Sequence, residues 1–241
     1  MAQGKQAIGG VLKSLSLLAV LSVVSFSEAV AATPRQLSLG GVEVAQQPAN
    51  GDSEAIREAA DRVYEEGDQL VQQGTAESLK QAIIKFEEAV RLYRQAGDKR
   101  SEALSLNDIG YVYFLLGEKQ QALHYYNQAL PLRRAVGDRV GEATTLNNIG
   151  GVYDSLGEKQ QALDYFNQAL LLSRAVGNRQ MEATTLNNIG LVYNDLGEKQ
   201  QALDYLNQAL LLSRAVGNRQ MEATTLNNIG LVYNDLGEKQ Q

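Results

Sequence analysis

Paired side-chain amides recur at a fixed interval in this chain. They are Asn147-Asn148, Asn187-Asn188 and Asn227-Asn228, with Asn107-Asp108 one interval earlier. A carboxamide both donates and accepts hydrogen bonds, so a row of them can hold the backbone of an extended segment while reading little of its sequence. Groups suited to catalysis are scarce. The 241 residues include one histidine and no cysteine, which removes disulfides, thiol catalysis and cysteine metal sites. His124 stands where the next two copies carry Asp164 and Asp204. No nucleophile or second base is placed to work with it, so it reads as a solvated surface residue. No metal-ligand spacing and no phosphate-cradling glycine loop is present, so neither catalytic residues nor a metal or cofactor site is expected. The formal charge of −6 with no basic cluster argues against nucleic acid as a partner, because phosphate binding needs concentrated positive charge.

The amides are positioned by a repeat. The phrase Leu-Gly-Glu-Lys-Gln places a glycine at Gly117, Gly157, Gly197 and Gly237, a period of forty residues. Such a period predicts a solenoid, since one unit cannot bury its apolar face without its neighbours. Within a unit, Leu146, Ile149, Gly150, Tyr153 and Leu156 recur at steps of three and four, the spacing of one helical face. Gly157 ends that helix. Ala162, Leu163, Phe166, Ala169 and Leu170 make a second face that stops before Gly177, glycine being the residue that closes helices in the left-handed conformation. Asp138, Asn178 and Asn218 follow such glycines and can cap the next helix, with Glu142, Glu182 and Glu222 in its first turn. The fold class is therefore all-α, a solenoid of antiparallel helical hairpins. Small residues at Gly150, Ala162 and Ala169 let the paired helices approach. Pro131, found in one copy only, removes a helix hydrogen bond and is expected to kink its helix.

Leu146, Ile149, Gly150, Tyr153, Gly157, Ala162, Phe166 and Ala169 stand at the spacings of the tetratricopeptide repeat, and the chain resembles that family. The match is good over 99–241 and loose over 54–98. The unit is longer than usual, similar to the long repeats of kinesin light chains and of the Leu-Gly-Asn adaptors. The array also resembles secreted cyanobacterial arrays, some with a CHAT-type peptidase domain downstream. The resemblance implies a superhelix whose first helices line a concave, non-catalytic groove for a protein or an extended peptide. The candidate groove residues are Asn107, Tyr111, Asn147, Asn148, Asp154, Asn187, Asn188, Asn194, Asn227, Asn228 and Asn234. On a helical wheel, Asn147, Asn148 and Asp154 fall opposite the apolar stripe. The alternative for these amides is hydrogen bonding between adjacent repeats or to water. In the first full unit the corresponding positions, Leu104, Asn107, Asp108, Tyr111, Phe114 and Leu115, form an apolar and aromatic patch. It either seats a hydrophobic anchor of a ligand or is covered by the segment before it.

Residues 1–31 carry Lys5 and Lys13, the apolar run Leu15 to Phe26 and then Ala29-Val30-Ala31, the order of a secretory signal peptide. The run is shorter than the ~20 residues needed to span a bilayer. Export to a periplasmic or extracellular location is expected, without stable membrane insertion once the signal is removed. Residues 32–53 read as a disordered spacer, 54–98 as a divergent N-terminal helical pair serving as a cap, and 99–241 as the array, ending within a repeat. In the last copy, Leu226, Ile229, Gly230, Tyr233 and Leu236 repeat an inward face whose partner helix does not follow. A longer natural array, with fraying or self-association through this open end, is the expectation. Two further readings are the sensor arm of a longer secreted CHAT-type enzyme and a self-assembling envelope scaffold.

Overall fold

The computed structural model describes residues 50–237. The signal (1–31) and the part of the 32–53 spacer before Asn50 lie outside the described residues. So does the segment after Gly237. Nine helices follow one another among the described residues: α1 Asn50–Gln73, α2 Ala76–Ala96, α3 Lys99–Leu115, α4 Lys119–Ala135, α5 Arg139–Ser155, α6 Lys159–Ala175, α7 Arg179–Asp195, α8 Lys199–Ala215 and α9 Arg219–Asp235. The helix α1 begins at Asn50, inside the stretch read as spacer. Asp52 in its first turn suits the positive helix end, and Ser53 Oγ donates to Ala96 O at 3.0 Å, tying the start of α1 to the end of α2. No described helix is long and apolar enough to cross a membrane.

The turns follow the chemistry expected of them. Gly97, Gly117, Gly137, Gly157, Gly177, Gly197 and Gly217 all have positive φ, from 67° to 81°. At the turn after α3, Gly117 N–H donates to Phe114 O at 3.0 Å and Glu118 N–H to Tyr113 O at 2.9 Å, which satisfies the last carbonyls of the helix. Asp98, Asp138, Asn178 and Asn218 each accept a backbone N–H three residues on with a side-chain oxygen, capping α3, α5, α7 and α9. Glu118, Glu158 and Glu198 precede α4, α6 and α8 without making a side-chain cap, whereas Thr75 caps α2. The helix α4 continues through Pro131 to Ala135.

Hairpins close around one glycine each. A methyl group added at Gly150 would meet the Phe166 ring at 2.7 Å, and one at Gly190 would meet Leu206 Cγ at 2.7 Å and the Ala202 carbonyl at 3.2 Å. The glycine therefore makes room for the large residue of the second helix as well as for close backbone approach. Gly67 in α1 stands in the same relation to Phe86, and Gly110 to Tyr126. That correspondence fixes the register of the divergent first hairpin: α1 aligns on α3 with an offset of forty-three residues. Stacked tyrosines join the two helices of three hairpins, Tyr113 on Tyr125, Tyr153 on Tyr165 and Tyr193 on Tyr205, with centroids 5.3 to 5.4 Å apart.

Successive hairpins are joined by apolar clusters and by ion pairs. Arg134, Arg174 and Arg214 reach Glu142, Glu182 and Glu222 at 2.7 to 2.8 Å. Burial opposes the charge on Glu182, but Arg174 and Arg179 outweigh it and hold its carboxyl below the usual glutamate range. Lys159, just after the turn glycine Gly157, contacts Asp154 of its own unit at 2.7 Å and Asp195 of the next at 2.5 Å. His124 is exposed, edge-on to Tyr125.

Candidate functional site

Every first helix, α3, α5, α7 and α9, touches the first helix of the adjacent full unit, whereas adjacent second helices make no comparable contact. The row of first helices is therefore the inner side of the array's curvature. Four positions of each helix, at steps of four, three and four residues, run along it, and two of those in α3, Tyr111 and Leu115, also pack on one side against the apolar clusters. The four are Leu104, Asp108, Tyr111 and Leu115 in α3, then Thr144, Asn148, Gly151 and Ser155 in α5, Thr184, Asn188, Leu191 and Asp195 in α7, and Thr224, Asn228, Leu231 and Asp235 in α9.

Beside this row lies a ladder of amides that joins one unit to the next. Asn107 Oδ1 accepts from Thr145 Oγ1 at 3.0 Å and from Asn148 Nδ2 at 3.4 Å. Asn147 Oδ1 accepts from Thr185 Oγ1 and Asn188 Nδ2, both at 3.2 Å. Asn187 Oδ1 accepts from Asn228 Nδ2 at 2.9 Å, while Thr225 Oγ1 is buried with no partner among the described residues. Asn107, Asn147 and Asn187 are each only 5 % exposed. These three serve as struts between repeats, which is the alternative weighed for the amides above. A helical wheel treats one helix against one partner, but a first helix in this array is packed from several sides, so the face opposite its own hairpin is not free. Leaving such an amide buried and unpaired would cost about 1 to 3 kcal/mol, which is why the neighbouring threonine and asparagine meet it.

The first rung has the same geometry and different chemistry. In the register set by Gly67 and Gly110, Tyr64 occupies the place of Asn107, and its hydroxyl donates to Asp108 Oδ2 at 2.6 Å. Asn107 Nδ2 donates to Asp108 Oδ1 at 3.3 Å. Burial pushes the Asp108 carboxyl up to about 6, against the lowering influence of Tyr64, Asn107 and Arg133. Burial and then the neighbouring carboxylate drive the Tyr64 phenol far above its ordinary value. Sequence reasoning missed Tyr64, because α1 shares little with the later units; alignment on Gly67 would have found it. It also passed over Thr145 and Thr185, which look like ordinary apolar-face neighbours.

The remaining expected residues fall into three groups. Asn148 and Asn188 are half-buried; each spends one N–H on a strut and leaves Oδ1 and the second N–H without a partner. Tyr111 is half-buried beside them in the inner row. Asn228 is 8 % exposed and donates one N–H to Asn187 Oδ1, so it is less accessible than Asn148 and Asn188. Asp154 and Asn194 belong to the lysine bridges: Lys159 holds Asp154, and Lys199 Nζ donates to Asn194 Oδ1 at 2.8 Å. Asn227 and Asn234 are exposed on α9. The structure thus brings Tyr111, Asn148 and Asn188 to one surface and assigns Asn107, Asn147 and Asn187 to its support.

Seven helices of one length, closed by left-handed glycines and joined by an amide ladder behind an open inner row, define a solenoid of helical hairpins. The chain belongs to the tetratricopeptide repeat family, whose sequence profile matches residues 75–135, 129–175 and 181–241. No curated protein matches it. Among solved structures, it is similar to a Podosopora anserina putative kinesin light chain with nearly identical TPR-like repeats, at 14 % identity over 80 % of this chain and 90 % of that one, TM-score 0.56. BtubC (BKLC) from P. vanneervenii is 20 % identical over 77 % of this chain and 84 % of its own, TM-score 0.53. A Rap protein complexed with Competence and Sporulation Factor is 19 % identical over 79 % of this chain, TM-score 0.65, and this chain covers 55 % of that one. These likenesses are of fold.

Proposed function

We propose that the inner row binds an extended segment of a protein or peptide and performs no chemistry of its own. The observation that carries this reading is the half-buried pair Asn148 and Asn188. Each is held in place by a strut and keeps one acceptor and one donor unspent, the pattern a peptide backbone matches. The similar Rap protein was solved complexed with Competence and Sporulation Factor, which supports a partner-binding role for a fold of this kind. Gly151 offers the test. It lies in the inner row of a helix, and a methyl group added to it meets nothing within 4 Å, so Gly151→Phe fills the groove without disturbing packing. A displayed library of random nine-residue peptides panned on the wild-type chain is expected to yield binders that Gly151→Phe captures at least about tenfold less well, with the melting temperature unchanged or raised. Binders indifferent to this change would place their site elsewhere and end the groove reading.

Export is proposed as well, resting on residues 1–31 alone. The mature chain is expected to begin at or near Ala32, and an intact Met1 in a membrane fraction would speak against cleavage.

A further inference from the structure

The groove reading leaves open what kind of segment is bound, and the two ends of the inner row differ. In α5 and α7 its first three positions are neutral, Thr-Asn-Gly and Thr-Asn-Leu. In α3 they are Leu104, 37 % exposed, then half-buried Asp108 and half-buried Tyr111. The strut at this level requires no charge, because Asn148, Asn188 and Asn228 make the equivalent bond as neutral amides. Nor is Asp108 part of an ion pair. Asp154 and Asp195 share Lys159, and Asp235 has Lys199, whereas Asp108 has only the Tyr64 hydroxyl and the Asn107 amide. A carboxylate offers about four acceptor positions, so roughly half of its capacity remains.

The surroundings narrow the choice of partner. The charged and titratable groups around Asp108 are Tyr64 and Asp68 from α1, Tyr111 on its own helix, and Tyr126 and Arg133 from α4. Arg133 pairs through Nη1 with Asp138 at 2.7 Å, while its Nε is buried with no partner among the described residues and its charge reaches Asp108 only as a field, not as an ion pair. By the glycine register, α1 adds Asp61, Glu65 and Asp68 at the places of Leu104, Asp108 and Tyr111, and none of them has a basic partner. A carboxylate with spare acceptors next to a tyrosine ring suits a guanidinium, which donates in pairs, stacks on aromatic faces and sheds water more readily than an ammonium. We propose that Asp108 and Tyr111 form an arginine-reading subsite at the N-terminal end of the inner row, so that an extended peptide lies with an arginine side chain there and its backbone across Asn148 and Asn188.

This inference rests on the groove reading, and one experiment separates their failures. Acetylated, amidated nine-residue peptide pools with one position fixed as arginine, lysine or citrulline are titrated against the full chain and against Asp108→Asn. Three other units hold asparagine at this place, so the variant keeps the frame, which far-UV circular dichroism verifies. The wild-type chain is expected to bind arginine pools about tenfold or more tighter than citrulline pools, with lysine between. Asp108→Asn is expected to bind both alike, at the citrulline level. Equal binding of arginine and citrulline pools by the wild-type chain, or an arginine preference that survives in Asp108→Asn, overturns the subsite and leaves the groove standing. Failure of every pool to bind either protein takes the groove reading down and the subsite with it.

Discussion

The helices α7 and α9 have the same seventeen residues, RQMEATTLNNIGLVYND, in two surroundings. Leu186 is 1 % exposed and its copy Leu226 is 44 % exposed. Gly190 is pressed by Leu206, while nothing lies within 4 Å of a methyl group added at Gly230. On the other side the two helices agree: Val192 and Val232, like Thr185 and Thr225, are fully buried. Each first helix therefore has a side filled by the preceding unit and a side filled by the helices after it, and only the second differs here. Burial in this array is a property of the neighbour, which is the one-dimensional behaviour of repeat proteins.

The strongest way to break this comparison is to put one substitution into both helices. Gly190→Leu must displace Leu206 and meets the Ala202 carbonyl, an overpacking that costs about 3 kcal/mol or more. Gly230→Leu enters open space and exchanges glycine for a better helix former, a gain of up to ~1 kcal/mol. Hydrogen exchange should show α7 and α8 losing protection in the first variant and α9 gaining it in the second. Equal losses in both would mean that the glycines serve the helices themselves rather than the packing between them.

A smaller effect sharpens the same contrast at the ladder. Asn187→Ala removes the acceptor for Asn228 and is expected to lower stability by about 1 to 3 kcal/mol. Asn227→Ala, in the identical local sequence, removes an exposed amide without a partner and should change stability by less than about 0.5 kcal/mol. Thermal melts of the two variants check this. If Asn227→Ala proves as costly as Asn187→Ala, the amide acts within its own helix and the strut assignment fails.

Much of this was legible in one copy of the repeat. The closing glycines, the Asp138 and Asn178 caps and the two apolar faces of each hairpin follow from local chemistry, and the structure has them where the residues place them. What was not legible involves partners forty residues away. Asn147 looks free on a helical wheel because a wheel has no second unit to supply Thr185 and Asn188. Lys159 looks solvated because Asp195 lies in the next hairpin. Tyr64 is hidden for a different reason: α1 keeps the glycine notch at Gly67 but little else of the pattern, so the phenol and carboxylate rung is apparent only once the register is known.

That rung is the converse of the α7 and α9 case, with the same place in the frame and a different residue. Asp108 stands where Asn148, Asn188 and Asn228 stand, and its carboxyl is raised to about 6, chiefly by burial. An unfolded aspartate titrates near 3.9. Between those values the folded chain holds a proton that the unfolded chain lacks, so stability contributed at this site falls as pH rises through the window and has been lost above it. The field of Asp68 works in the same direction and that of Arg133 against it. Asp108→Asn keeps an acceptor for the Tyr64 hydroxyl and removes the buried charge. At pH 7 it is expected to stabilise the chain by on the order of 1 to 2 kcal/mol, discounted from the full shift because Asp108 keeps some contact with solvent. The difference between variant and wild type should shrink as pH is lowered from 7 to 4, where both carry a neutral group there. Urea melts at the two pH values measure it. A variant less stable at pH 7, or a difference independent of pH, would show that the carboxylate is better compensated than its burial implies, and that the first rung is an ion-stabilised joint unlike the three amide rungs after it.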